Sequence, residues 1–181
     1  NPNYAPAFRN RGLTYHRKGA YDRAIQDYDQ AIVLDPRVAF VFNNRGLSYF
    51  NKKDYDHAFQ DYNEAIRLNP NYALAFNNRA NAYRNKRDYE HALADYEAAA
   101  RIDPKAARHK LIGYTLFFME RVALSAQAME QALKAAPRDI YAILWHSLAR
   151  AKEKGMDIAS RELGERAVNL KETRWPAPVV N

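Results

Sequence analysis

Cysteine is absent from this chain of 181 residues. That excludes disulfides, thiolate metal ligands and a cysteine nucleophile, and fixes no compartment, so cytoplasm and bacterial periplasm both stay open. No run of about 18 apolar residues occurs, so no segment reads as a membrane-spanning helix. Glycine is scarce, with 6 residues, and forms no phosphate-cradling loop. His16, His57, His91, His109 and His146 show no metal-ligand spacing; His57 and His91 simply lie 34 apart. His146-Ser147 has no acid placed to complete a triad, and no metalloprotease motif appears. These absences point to a chain that is not an enzyme and needs no cofactor or metal.

What is present is periodic. Apolar residues make up 48% and charged residues 27%, enough for a substantial core. The net charge of +7 is spread along the chain rather than gathered in a basic tail. The string Phe8-Arg9-Asn10-Arg11-Gly12-Leu13-Thr14-Tyr15 returns as Phe42-Asn43-Asn44-Arg45-Gly46-Leu47-Ser48-Tyr49, and again as Phe76-Asn77-Asn78-Arg79-Ala80-Asn81-Ala82-Tyr83, each time 34 residues on. A fixed period of that size marks a repeat array. Pro2, Pro36, Pro70 and Pro104 keep the same spacing, and Pro137 follows 33 later. Each proline closes an apolar-periodic run, where a helix must stop. Two helices fit between prolines; in the second unit they span about residues 38–52 and 54–68. Asp54 and Asp88 are placed to accept from orphan N–H groups at the start of second helices. Gly19 ends the first helix of the first unit.

The consensus places hold Phe8, Gly12, Tyr15, Ala24, Tyr28, Ala31 and Pro36 in the first unit. The second has Phe42, Gly46, Tyr49, Ala58, Tyr62, Ala65 and Pro70, and the third Phe76, Ala80, Tyr83, Ala92, Tyr96, Ala99 and Pro104. Over residues 5–104 the chain resembles the tetratricopeptide repeat (TPR) family. The resemblance implies an all-α TPR solenoid, a right-handed superhelix of antiparallel helix pairs. The units read as 5–38, 39–72, 73–105, a degenerate 106–139 and a divergent 140–170. In the fourth, Gly113, Leu116, Ser125, Met129 and Ala132 take the consensus places after a one-residue deletion near Ala106-Ala107. In the fifth, Gly155 and Ala159 imply registers that differ by one. Asn1-Pro2-Asn3-Tyr4 matches Asn69-Pro70-Asn71-Tyr72, so residues 1–4 read as the tail of a preceding repeat. A first repeat without its predecessor offers an apolar end for self-association. Residues 171–181 form a Pro-rich tail whose Trp175 and valines are expected to dock on the last helices.

Arg11, Arg45 and Arg79 stand where the family has Leu, and Asp27, Asp61 and Asp95 recur in step with them, which predicts a ladder of ion pairs between adjacent helices. The resemblance also implies that first helices line a ligand groove. Carried over by position, the groove residues are Arg9, Asn10, Leu13 and Arg17; then Asn43, Asn44, Leu47 and Phe50; then Asn77, Asn78, Asn81 and Arg84. Side-chain amides both donate and accept, so a row of them suits an extended peptide backbone; they also suit bonds that fix repeat stacking. Some TPR co-chaperones grip a C-terminal carboxylate with Lys, Asn, Asn, Lys and Arg. Here Asn44 fits, but Leu13, Leu74 and Asn78 replace three of the five, which excludes that clamp. In the fourth unit Leu111, Tyr114, Phe117 and Phe118 make the same positions apolar, and Tyr141, Leu144 and Trp145 extend the patch. The basic pairs Arg17-Lys18, Lys52-Lys53 and Lys86-Arg87 end first helices, where cations complement the helix dipole.

The function implied is a non-catalytic scaffold that receives a protein or peptide partner in the groove, with no membrane span and no nucleic acid. Among TPR proteins the chain is similar to bacterial ones with the Asn-Arg-Gly form of repeat, including envelope lipoproteins that act as adaptors. Two alternatives stay open: a substrate-recruiting region of a larger enzyme, and an RNA-binding helical repeat, which would show steep salt dependence.

Overall fold

The structure, a computed structural model, describes residues 4–171. Among these the chain forms ten α-helices and no strand. In order they are α1 (Ala5–Arg17), α2 (Tyr21–Leu34), α3 (Ala39–Asn51), α4 (Tyr55–Leu68), α5 (Ala73–Asn85), α6 (Tyr89–Ile102), α7 (Ala106–Phe118), α8 (Val122–Ala135), α9 (Ile140–Lys154) and α10 (Met156–Lys171). Consecutive helices pack as five pairs, the all-α TPR solenoid expected from the repeat. The chain divides into two compact units, the first ending at Asp103 and the second starting at Pro104.

The turn inside each of the first four pairs is the same device, with Gly19, Lys53, Arg87 and Glu120 at φ between 61° and 75°; Gly155 closes the fifth differently, with φ 95°, ψ 160° and its N–H on Ala151 O. In the second pair Lys53 N–H donates to Phe50 O at 2.9 Å and Asp54 N–H reaches back to Tyr49 O at 3.0 Å. This is the Schellman closure, which satisfies the last carbonyls of the first helix. Asp54 and Asp88 then cap the next helix, accepting from the backbone N–H groups of His57 and His91. The same histidines stack on Tyr49 and Tyr83 with ring centroids 5.0 Å apart, which explains their 34-residue period.

Close approach of paired helices is set by Gly against Tyr. A Cβ on Gly12 would lie 2.9 Å from Tyr28 Cε1, and one on Gly46 2.9 Å from Tyr62 Cε1. Tyr28, Tyr62 and Tyr96 are fully buried. Around them pack the consensus alanines with Val41, Phe42 and the half-buried Phe8, Tyr15, Tyr49 and Phe59. In the second unit Met129 takes the Tyr place against Gly113, and the core continues through Ala132, Leu133, Ala142 and Ile143.

The irregular repeats are accounted for by length. α7 starts at Ala106, 33 residues after α5 starts at Ala73, which is the one-residue deletion. α9 has 15 residues where the preceding first helices have 13. That extra length carries Gly155 past the expected turn and resolves the conflict between Gly155 and Ala159. The expected docking of Trp175 lies outside the described residues.

At Lys53 and Arg87 an L side chain occupies the left-handed region that glycine fills at position 19. A Cβ there costs roughly 1–2 kcal/mol, partly offset by the backbone entropy glycine loses on folding. Lys53→Gly is expected to stabilise the protein by about 1 kcal/mol, read as a higher urea midpoint at unchanged slope. A lower midpoint would contradict it.

Candidate functional site

Each first helix of the first unit turns one stripe of side chains toward its second helix and leaves another uncovered. The inward stripe carries the Arg–Asp ladder. Arg11 donates through Nε and Nη2 to Asp27 at 2.8 and 2.7 Å, Arg45 to Asp61 at 2.9 and 2.6 Å, and Arg79 to Asp95 at 2.7 and 2.7 Å. These are two-pronged pairs, the strong form of the contact. The second and third rungs also reach back one repeat: Arg45 Nη1 donates to Asp29 at 2.6 Å and Arg79 Nη1 to Asn63 at 2.5 Å. The ladder therefore ties repeats together as well as helices within a repeat. Burial lifts the Asp61 carboxyl above its usual range against the pull of Arg45. Arg45 is half-buried, and its bonds to Asp61 and Asp29 hold it above its ordinary value against that burial.

The candidate groove residues divide into two sets. Asn43 is fully buried, and its Oδ1 accepts from Asn78 Nδ2 at 2.9 Å, so this pair stitches α3 to α5 beneath the surface. Asn44 is 8% exposed and donates to Phe40 O at 2.7 Å. Phe50 is half-buried and packs edge-on against Tyr55 at 5.8 Å. The more open members are Asn10, which is exposed, and Arg9, Leu13, Leu47, Asn77, Asn81 and Arg84, which are half-buried. Arg9 lies over the Phe40 ring at 6.0 Å.

Asn81 has a second task that sequence reasoning missed. The Tyr96 hydroxyl donates to its Oδ1 at 2.6 Å. One and two repeats earlier, the same position holds Leu47 and Leu13, and the buried Tyr62 and Tyr28 hydroxyls have no partner among the described residues. The pattern was available in the sequence as Leu, Leu, Asn opposite Tyr, Tyr, Tyr. Burial drives the Tyr28 and Tyr62 phenols well above the ordinary range and Tyr96 to about 12.

In the second unit the apolar candidates do converge. Tyr114 and Phe117 of α7 meet Trp145 of α9 edge-on at 4.9 and 5.2 Å, and Phe118 lies 6.0 Å from the same ring. Phe118, Tyr141, Leu144 and Leu148 stay about half or more exposed. A cavity of about 1100 Å³, unannounced by any sequence motif, lies among α8, α9 and α10. Within its lining Arg166 pairs with Glu130 at 2.6 Å and Arg150 with Glu162, and Arg150 also reaches Glu153 nearby. Among the described residues no three His, Asp or Glu side chains converge as metal ligands, and no helix is long and apolar enough to cross a membrane.

Two predictions come from this geometry. Asn81→Leu is expected to orphan the Tyr96 hydroxyl and cost about 1–3 kcal/mol. Adding Tyr96→Phe should recover part of that loss in the double variant, and strict additivity in urea melts would disprove the coupling. The second concerns pH. Burial lowers His16, and burial together with Arg166 lowers His146, so both favour the neutral ring in the folded state. Ser48 Oγ donates to Asn44 O and therefore accepts from His16 Nδ1 at 2.9 Å. A depressed folded value gives stability that is present above the ordinary histidine value of about 6.5 and lost as pH falls through the folded values. The melting temperature should thus drop on acidification below that value, and His16→Gln should flatten the slope.

Comparison with known proteins agrees with this architecture. The family described as tetratricopeptide repeat matches at residues 39–72 and 73–105, and that described as TPR repeat at 12–53. Comparison with curated protein sequences gives no match. Among solved structures, MamA is 18% identical, with 98% of each chain covered and a TM-score of 0.83. YrrB, titled a TPR protein with an unusual peptide-binding site, is 17% identical over 95% of this chain and 89% of its own, with a TM-score of 0.77. The first TPR of Spaghetti (RPAP3), solved bound to the HSP90 peptide SRMEEVD, is 26% identical over 66% of this chain and 98% of its own, with a TM-score of 0.63. With the helix pairs, the Gly–Tyr packing and the family matches in agreement, the chain belongs to the tetratricopeptide repeat family.

Proposed function

We propose that the protein is a non-catalytic interaction scaffold whose first unit receives an extended partner segment along α1, α3 and α5. The observation that carries this reading is the uncovered stripe itself. Asn10, Asn77 and Asn81 bring amide groups to the surface there, with Leu13 and Leu47 between them. Amides on α1 and α5 can bond a peptide backbone without reading its side chains, and the leucines of α1 and α3 give apolar contact between them. Two structural neighbours support it, one solved with a peptide and one titled for a peptide-binding site. Asn43 and Asn78 serve by holding α3 and α5 at the right spacing, and Asn44 by its bond to Phe40 O within α3. In the second unit, Phe118 and its neighbours Tyr141 and Leu144 form an apolar face suited to a partner's hydrophobic anchors.

The test separates the two sets of asparagines. Asn10→Ala with Asn77→Ala should weaken peptide binding about tenfold and leave the melting temperature nearly unchanged. Asn78→Ala should lower the melting temperature because it leaves Asn43 buried and unpaired. Unchanged binding in the Asn10/Asn77 variant would refute the groove.

A further inference from the structure

Charge is segregated by helix throughout the first unit. α1, α3 and α5 contain no Asp or Glu, whereas α2, α4 and α6 each carry three acids and one Arg. Arg11, Arg45 and Arg79 are turned to the second helices and neutralised there. Arg9, Arg17 and Arg84 remain, and none of the three forms an ion pair among the described residues. Arg9, Leu13 and Arg17 follow at four-residue steps on one stripe of α1; Asn77, Asn81 and Arg84 share a stripe of α5. Asp35 borders the same small cavity as Arg9, but its Oδ1 accepts from Arg37 N–H.

The layer beneath has the same bias. The Tyr28 and Tyr62 hydroxyls and Asn43 Nδ2 are buried donors without an acceptor among the described residues. A stripe that offers arginines and amide N–H groups, and draws no Asp or Glu from α1, α3 or α5, is complementary to a chain rich in acceptors. From this, and resting on the peptide-groove reading above, we infer that the first unit selects an acidic extended segment, with Asp or Glu side chains against Arg9, Arg17 and Arg84. The charge is read along the segment rather than at its end, because Leu13, Leu74 and Asn78 replace the residues that would clamp a terminal carboxylate.

Fluorescence anisotropy on the full chain tests this with short, end-blocked peptides in three sets: rich in Asp and Glu, the same sequences with Asn and Gln, and the same with Lys. The acidic set should bind best and weaken steeply with added salt. Arg9→Gln, Arg17→Gln and Arg84→Gln should each reduce its affinity about three- to fivefold. Arg9→Glu with Arg84→Glu should shift preference toward the Lys set. Equal binding of the acidic and neutral sets would overturn the charge inference and leave the groove standing. Acidic binding insensitive to the three arginines but lost on replacing Lys18, Lys53 and Arg87 would overturn it in favour of the basic pairs that end the first helices. Tighter binding of an oligouridylate than of any peptide would overturn it in favour of RNA. No binding by any set would overturn both readings.

Discussion

The packing of a tyrosine ring across a residue without a side chain governs this structure. Tyr28 and Tyr62 pack against Gly12 and Gly46, so close that a Cβ on either glycine would lie 2.9 Å from ring atom Cε1. That contact sets how near the two helices of a pair come, and with it the reach of every other side chain between them. The arginine before Gly12, Gly46 or Ala80 is delivered to the aspartate before each tyrosine, so Arg11–Asp27, Arg45–Asp61 and Arg79–Asp95 share the same 16-residue separation and two-pronged geometry. Packing this tight tolerates little change of volume. The repeat is thus one mechanical module in which ring, gap and ion pair depend on one another.

The same contact couples the core to the exposed face. In the third repeat the tyrosine hydroxyl bonds Asn81, the residue after Ala80; after Gly12 and Gly46 the same place holds Leu13 and Leu47. Only Asn81 supplies an acceptor. A buried phenol left unpaired costs about 1–3 kcal/mol, so two repeats forgo that stabilisation while keeping leucine on the uncovered stripe. The choice between Leu and Asn there is at once a matter of core satisfaction and of surface chemistry.

Much of this was legible in the sequence. The 34-residue period, the prolines and the Gly/Ala–Tyr spacing announced helix pairs, and equal spacing of Arg and Asp announced the ladder. Each is a regularity repeated three times, so chance cannot easily produce it. What stayed hidden was anything decided by geometry across repeats. Asn43 and Asn44 look interchangeable as adjacent letters, yet one is sealed against Asn78 and the other bonds its own helix at Phe40 O. A 100° step around a helix separates the two, and which of them is covered depends on the neighbouring repeat. The left-handed residues at Lys53, Arg87 and Glu120 were equally silent, because only position 19 carries the glycine that signals such a turn. The paired charges around the second-unit cavity have no period at all, since that unit's helices differ in length and composition.

The second unit shows what happens when the module is dismantled. Met129 stands in for the tyrosine, Ile112 for the arginine, and Ala128 for the aspartate. The three substitutions belong together. A flexible thioether fills the gap over Gly113 without demanding a fixed ring plane. Without the arginine, a buried aspartate would be an uncompensated charge, so alanine is the compatible partner. Losing the rungs releases the first helices from polar duty. Tyr114, Phe117 and Trp145 then form a cluster that holds α7 to α9 by apolar contact. The first unit is registered by directional bonds that specify a single spacing, whereas the second is registered by aromatic packing that can adjust. Under the groove reading proposed above, a face lined by fixed amides and arginines suits discrimination of charge, while one lined by Phe118, Tyr141 and Leu144 suits little beyond apolar shape.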